Sequence, residues 1–195
     1  MTAMLRRSAL AITAASAAFV TVGGAAAVAA AAPQVASASQ TVVSGKTAVE
    51  LNAKTLKAFA ADGYTLKASG KGGLKGTTLT LPVTGGAYNQ GVGTVVQVGG
   101  ISITKGSKSV TIKDLIIHLK GGSASGIVTG HGRIAAVTVG APQSGSGGPH
   151  WVSYGGFSVT FSSAATKVLD GTFSTKAFAK HSTLGVGSTR LNFKK

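Results

Sequence analysis

The chain has 195 residues, no cysteine and a formal net charge of +15, with nineteen lysines and arginines against four acidic residues. Without cysteine it can form no disulfide framework, no thiolate nucleophile and none of the usual structural zinc sites. The acidic residues are spread singly, which argues against a paired-carboxylate hydrolase. The excess of basic residues favours anionic partners through long-range attraction.

The first 38 residues have the features of an export signal. Arg6 and Arg7 precede an uncharged apolar stretch over residues 8–32, which is the order of the n-region and h-region of a secretory signal peptide. Small residues offer cleavage after Ala31 or after Ala38. The alternative is an uncleaved membrane anchor, because the apolar stretch is long enough to span a bilayer. We predict a signal peptide and small-residue leader over residues 1–38, and a protein that is secreted or held in the cell envelope.

Residues 39–195 are predicted to form a single β-rich domain, because short β-branched stretches are separated by glycine. Residues 77–81 alternate with period two and stop at Pro82, which cannot donate to a ladder and predicts a strand end or edge. Residues 101–104 and 109–112 flank a turn at 105–108 and predict a hairpin. A third strand of that meander is predicted at 115–119. Further strands are expected at 94–98, 126–128, 134–139 and 157–161.

Two short helices are predicted between the strands. Asn52 can cap a helix that ends at Gly63, and Ser162 or Ser163 can begin a second helix that stops at Gly171. Residues 141–149 are rich in serine, glycine and proline and predict a flexible loop. The pattern is typical of an all-β, mainly antiparallel fold, either a sandwich or barrel-like, with two short helices.

No catalytic motif is present, so we do not expect an enzyme. The sequence contains neither a Gly-x-Ser-x-Gly elbow nor a His-Glu-x-x-His zinc motif, and we predict no metal site. His118 ends a predicted strand and His131 follows a turn, so that both could lie at one rim of the sheet; the alternative is that they are ordinary surface histidines. Trp151 is either a core residue that covers the sheet or a platform for stacking. The remaining histidines, His150 and His181, form no close ligand pair with these two.

The order of the segments resembles a group of exported actinobacterial proteins that carry an HtaA-type domain, a family associated with haem uptake. The matching segments are residues 51–56 (LNAKTL), 81–86 (LPVTGG), 99–103 (GGISI), the strand 110–119, and residues 173–185. The resemblance implies that haem-binding members hold iron through a tyrosine in an aromatic and arginine-bearing N-terminal segment, supported by a histidine. Residues 42–51 contain no aromatic residue and no arginine. Tyr64 is therefore the nearest candidate ligand, with His118 or His131 as the supporting group.

Two functions follow from these observations. The first is a non-enzymatic surface protein that binds a small anionic ligand, with haem as the candidate cofactor and lysines pairing its propionates. The second is a structural or adhesive protein whose basic sheet surface holds anionic cell-wall polymers. Nucleic acid is not an expected partner. In the plainest alternative the lysines only keep the sheet edges soluble.

Overall fold

The computed structural model of the protein describes residues 39–180 and 182–195. The predicted signal peptide, residues 1–38, and His181 lie outside the described residues. Within the described ranges, no helix has the length and apolar character needed to cross a membrane.

The described residues form strands, three α-helices and one 3₁₀ turn at Leu119–Gly121. Eight of these strands form a closed ring, and the other four, β2, β3, β6 and β10, pair beside it. In chain order the elements are β1 (Gln40–Leu51), α1 (Ala53–Ala61), β2 (Thr65–Ser69), β3 (Gly73–Lys75), β4 (Thr78–Asn89), β5 (Val92–Gln97), β6 (Gly100–Lys105), β7 (Lys108–His118), β8 (Ser123–Val128), β9 (Gly132–Val139), β10 (Ser144–Gly148), β11 (Trp151–Phe161), α2 (Ser163–Phe173), α3 (Ala177–Lys180) and β12 (Thr183–Phe193).

Eight strands close into a barrel. They follow the order β7-β5-β4-β1-β12-β11-β9-β8, and β8 pairs again with β7 to complete the ring. The pairings are antiparallel. The predicted all-β, mainly antiparallel class is therefore confirmed, and of the two predicted architectures the barrel is the one observed. Closure pairs both edges of each ring strand and so removes the free edges that an open sheet would expose.

The sequence predicted that Pro82 marks a strand end or edge. In the structure β4 continues through Pro82 to Asn89, so the strand does not end there. The carbonyl oxygen of Pro82 accepts a hydrogen bond from the Val98 N–H at 3.0 Å. In a strand, the backbone nitrogen and carbonyl of one residue point to the same neighbouring strand. The Pro82 nitrogen, which has no hydrogen to donate, therefore faces the same side of β4 as its carbonyl. There β3 pairs only with residues 78–80 of β4, and β5 pairs only from Val83 onward. Proline is tolerated because it lies in the gap between two partner strands.

The prediction of a separate third strand at residues 115–119 is wrong, because residues 108–118 form one continuous strand, β7. Asp114 interrupts it with a left-handed backbone, φ 53°. Its carboxylate accepts from the Gly99 N–H at 3.2 Å, and its own N–H donates to the Gly99 carbonyl at 2.9 Å. This local bulge lets β7 pair with β6 along its first half and with β5 along its second half.

Two further predictions need correction. The loop expected at residues 141–149 contains β10, which pairs with β11, because main-chain hydrogen bonds form without any hydrophobic pattern. Helix α2 passes Gly171 and ends at Ser174, whose left-handed φ of 54° closes it. A third helix, α3, follows it. The predicted caps are confirmed: Asn52 accepts from the Lys54 and Thr55 N–H groups, and Ser162 accepts from Ala165.

The buried side chains form two separate apolar clusters. The larger cluster joins the barrel interior to the helices through the fully buried Phe59, Leu169 and Phe178. The smaller cluster lies within β1, β4, β5, β11 and β12 and consists of Val42, Val83, Tyr88, Val95, Val152, Leu191 and Phe193. Ile117 and Tyr154 are half-buried and pack against both clusters. The boundary between the clusters is therefore where the barrel interior is least completely filled.

Candidate functional site

A cavity of about 210 Å³ lies in the barrel where the two clusters meet. The strands supply its apolar wall, and the connections between them supply glycines and a proline at its edge. The lining residues are Gly91, Val95, Ile117, His118, Leu119, Gly122, Val139, Gly140, Pro142, Tyr154, Phe157 and Thr189. Because five of these side chains are aliphatic or Phe, the cavity favours an apolar ligand.

A bulge in β11 directs two aromatic side chains into this cavity. The register between β11 and β12 shifts at Gly155/Phe157, where Gly156 adopts φ 73°. The extra residue places Tyr154 and Phe157 on the same inner side of a strand whose side chains would otherwise alternate. A conformation with positive φ is open to glycine at little cost.

Tyr154 forms a phenol pair with Tyr88. The two hydroxyl oxygens are 2.5 Å apart, and the Tyr88 ring stacks on Phe193 with centroids 5.2 Å apart. Burial raises the pKa of Tyr154, and the hydrogen bond and charge of Tyr88 raise it further. Tyr154 therefore stays a neutral phenol at physiological pH, able to donate or accept a hydrogen bond but poorly suited to bind a cation as a phenolate.

One side of the cavity is polar. Thr189 lines it and shares a hydrogen bond of 2.9 Å with Thr47 Oγ1, which also accepts from Gln97 Nε2 at 2.5 Å. Gln97 is only 1% exposed, and its Oε1 has no hydrogen-bond partner among the described residues. A buried amide oxygen without a partner is costly, but this group lies behind the cavity wall, since neither Gln97 nor Thr47 lines the cavity.

The edge of the cavity carries the polar groups that a ligand would meet first. His118 ends β7 and is exposed, and the 3₁₀ turn after it carries the exposed Lys120. This turn is held by Gly122, whose carbonyl accepts from the Val139 N–H at 2.6 Å. An imidazole and an ammonium group thus lie within three residues of each other at the rim.

The structure brings one of the three predicted site residues to this cavity. His118 lies in its wall, whereas His131 is exposed in the turn between β8 and β9. Tyr64 is 4% exposed, and its ring packs edge-on against Phe59, Phe173 and Phe178. Its hydroxyl has no hydrogen-bond partner among the described residues, and Lys105 Nζ lies 4.6 Å from its ring centroid. Tyr64 is thus part of the aromatic core beneath the helices.

Tyr154 borders a glycine in the sequence, where a phenol can reach a ligand, but it was not among the three predicted site residues. Its signal was the pair Gly155-Gly156 directly after it, which marks a bulge. Within residues 39–180 and 182–195, no group of three or more His, Asp or Glu side chains is placed to hold a metal ion.

The described part of the chain is a closed antiparallel barrel with an apolar internal cavity, an architecture that often encloses one small ligand. Its fold is that of an HtaA-like domain. The crystal structure of the C-terminal domain of HtaA from Corynebacterium glutamicum is similar to it with a TM-score of 0.59 and 15% identity, covering 80% of this chain and 99% of that one. The expected HtaA-like fold is therefore confirmed.

A second solved structure, that of the heme binding protein HtaB from Corynebacterium glutamicum, matches with a TM-score of 0.48 and 12% identity, over 80% of this chain and 96% of that one. Neither a family model nor a curated protein sequence matches the chain. At these identities the comparison concerns the fold alone.

Proposed function

We propose that this protein is an exported, non-enzymatic binding protein that holds a small, mainly apolar anion in its barrel cavity, and that haem is this ligand. The observation that carries the proposal is the apolar cavity with an imidazole, His118, in its wall and a lysine, Lys120, directly beyond it. The HtaA-like fold supports it, because the sequence resemblance points to haem uptake.

The residues around the cavity fit haem. Val95, Ile117 and Val139 offer an apolar surface to the porphyrin, and neutral imidazole is a common haem ligand. The ammonium of Lys120 is available to a propionate. The cavity, about 210 Å³, is smaller than the usual range for small-molecule pockets. Its walls would therefore cover only part of a bound haem.

The choice of His118 as the iron ligand follows from the chemistry of the donors. A tyrosine binds ferric iron as a phenolate, and the raised pKa of Tyr154 opposes that form. Tyr64 is enclosed by Phe59, Phe173 and Phe178. Of the residues predicted from the sequence, His118 is the one that a ligand in the cavity can reach. His118 would hold the iron by donating an imidazole lone pair to it, and the protein would also supply orientation and a partly dry site.

Titration of the purified apoprotein with haemin tests the proposal through the Soret band. We expect saturable binding of one haem per chain, and His118→Ala should weaken it by about tenfold or more, since even outer-shell partners of a metal are worth 10–100-fold. His131→Ala and Tyr64→Phe are matched controls that change predicted residues away from the cavity, and both should bind as the wild type does.

Val139→Trp provides an independent arm because it fills the cavity without altering an iron ligand. Haem binding should be lost in this variant while its far-UV circular dichroism stays that of the wild type. Saturable haem binding that survives both Val139→Trp and His118→Ala would show that the cavity is not the site.

A further inference from the structure

The outer face of β1 and β12 carries basic side chains that the barrel cavity does not use. Lys46 and Arg190 are direct partners across the β1–β12 ladder, and both are exposed. Lys194 follows β12, donates its N–H to the Thr41 carbonyl at 3.0 Å and is also exposed. We call Lys46, Arg190 and Lys194 the cationic face.

Like charges directly opposite each other on a sheet are destabilising. Three of the four acidic residues are engaged elsewhere: Glu50 accepts from Thr77 and Thr78, Asp114 from the Gly99 N–H, and Asp170 from the Phe178 and Ala179 N–H groups. The repulsion between Lys46 and Arg190 would therefore be relieved by an anion from outside the chain.

Arg190 is held in place for such a contact. Its guanidinium carbon lies 4.6 Å from the centroid of the Trp151 ring. Trp151 in turn lies close to Gly148 of β10, where a Cβ would come within 3.0 Å of the indole nitrogen. The Trp151 ring thus lies between β10 and the Arg190 guanidinium. Because this stacking already restricts the Arg190 side chain, it loses little further conformational freedom when its planar guanidinium binds a carboxylate or phosphate.

The spacing of the charges favours a chain of anions over a single one. Lys194 comes four positions after Arg190 on the same outer face, about 13 Å away in an extended backbone. This interval lets Arg190 and Lys194 contact successive anionic groups of one polymer. Between the Lys46–Arg190 pair and Lys194 lies an uncharged hydrogen-bonded pair, in which Asn192 Nδ2 donates to Ser44 Oγ at 3.1 Å. An amide and a hydroxyl between cations suit a polymer that presents hydroxyls between its anionic groups.

We propose that the cationic face binds an anionic glycan, here a polymer of sugar or polyol units with repeating carboxylate or phosphate groups, along the outside of β1 and β12. This site is independent of the ligand cavity, which lies inside the barrel. The Trp151 ring is covered by Arg190 and placed against Gly148, so it stabilises the arginine and offers no free face for a nucleic-acid base.

The test uses the full secreted chain and four probes: alginate for carboxylate, poly(glycerol phosphate) teichoic acid for phosphate, neutral dextran, and duplex DNA. Alginate or teichoic acid should bind in a salt-sensitive manner, and whichever binds more tightly identifies the anionic group. Lys46→Gln with Arg190→Gln should weaken binding about fivefold or more, as expected for the loss of two exposed ion pairs.

The matched control is Lys67→Gln with Lys108→Gln, which removes the same charge from exposed positions on β2 and β7. Strand β7 is four strands from β12 in either direction round the ring, and this control should change binding by less than about twofold. Arg190→Lys keeps the charge and loses the planar stacked fork, so it should bind more weakly than the wild type.

Equal losses in the two double variants, or dextran bound as tightly as alginate and teichoic acid, would overturn the proposal. Tighter binding of DNA than of either glycan would replace the glycan by nucleic acid as the occupant and would also overturn it. The substituted side chains lie on the outer surface of the barrel, so the same variants should bind haem as the wild type does. The two proposals can therefore fail separately.

Discussion

The phenol pair is the residue-level feature that most directly joins the cavity to the core. Tyr154→Phe removes one hydroxyl and deprives the buried Tyr88 hydroxyl of the partner it now has. We expect a loss of about 1–3 kcal/mol in the free energy of unfolding, measured by urea titration, because an unsatisfied buried polar group costs about that much.

The double variant Tyr88→Phe with Tyr154→Phe is the control for this prediction. It removes both polar groups together, so its loss should be smaller than that of Tyr154→Phe alone. A double variant less stable than the single variant would indicate that the rings, and not the hydrogen bond, determine the effect.

The raised pKa of Tyr154 gives a second expectation for the same residue. The folded chain holds this phenolic proton more tightly than the unfolded chain, so the resulting stabilisation is complete below the unfolded pKa of 10.0 and declines as the pH rises above it. The stability difference between the wild type and Tyr154→Phe should be constant from pH ~7 to ~9 and shrink above pH ~10, as followed by unfolding at each pH. A difference that grows with pH would contradict the assigned direction.

The candidate site could be predicted from the sequence only in part. His118 was identified because it ends a hydrophobic strand, and chain position is enough to place such a residue at a rim. Tyr64 was selected as the tyrosine nearest to residues 42–51, but whether a ring next to a helix faces solvent depends on distant packing partners. Here Phe173 and Phe178, over one hundred residues away in sequence, enclose it.

At the scale of elements, close approach of strands explains why certain strand positions are glycine. In β12, a Cβ on Gly185 would lie 1.9 Å from the Glu50 carbonyl oxygen of the neighbouring β1. Gly185→Ala should therefore destabilise the fold by about 1–3 kcal/mol, the usual cost of overpacking. Thermal and urea unfolding both measure this.

Gly73→Ala serves as the comparison, since Gly73 also lies in a strand, β3, yet nothing lies within 4 Å of its added Cβ. Its effect should stay within about 0.5 kcal/mol. Equal losses for Gly73→Ala and Gly185→Ala would attribute the effect to loss of glycine as such and not to the contact with β1.

The strands and caps were largely predictable because they depend on local chemistry. Asn52 and Ser162 could be recognised as caps, and the 101–112 hairpin as a turn between alternating stretches. Pro82 and Asp114 could not be read correctly, because one is tolerated through a gap between partner strands and the other through hydrogen bonds to Gly99. Both depend on neighbours that the local sequence does not specify.

For the molecule as a whole, the choice between sandwich and barrel depends on one pairing, that of β7 with β8. Both strands would show the same alternation in either architecture, so the periodicity of side chains cannot distinguish them. The bulges at Val42/Ser44, Val83/Gly85 and Gly155/Phe157 curve the strands toward closure.

The same architecture makes a prediction about export. Strand β1 begins at Gln40 and pairs on both sides, with β4 and with β12. A cut after Ala31 or Ala38 leaves every one of these pairings in the mature chain, because both sites precede β1. A cut inside β1 would open the ring between β4 and β12.

We therefore expect a bacterial host that produces the full chain to release a folded protein whose intact mass corresponds to residues 32–195 or 39–195. Its thermal unfolding should match that of a chain expressed directly as residues 39–195, since the barrel is complete in both. Recovery of uncleaved chain in the membrane fraction would instead support the anchor, because the uncharged stretch of residues 8–32 is long enough to span a bilayer.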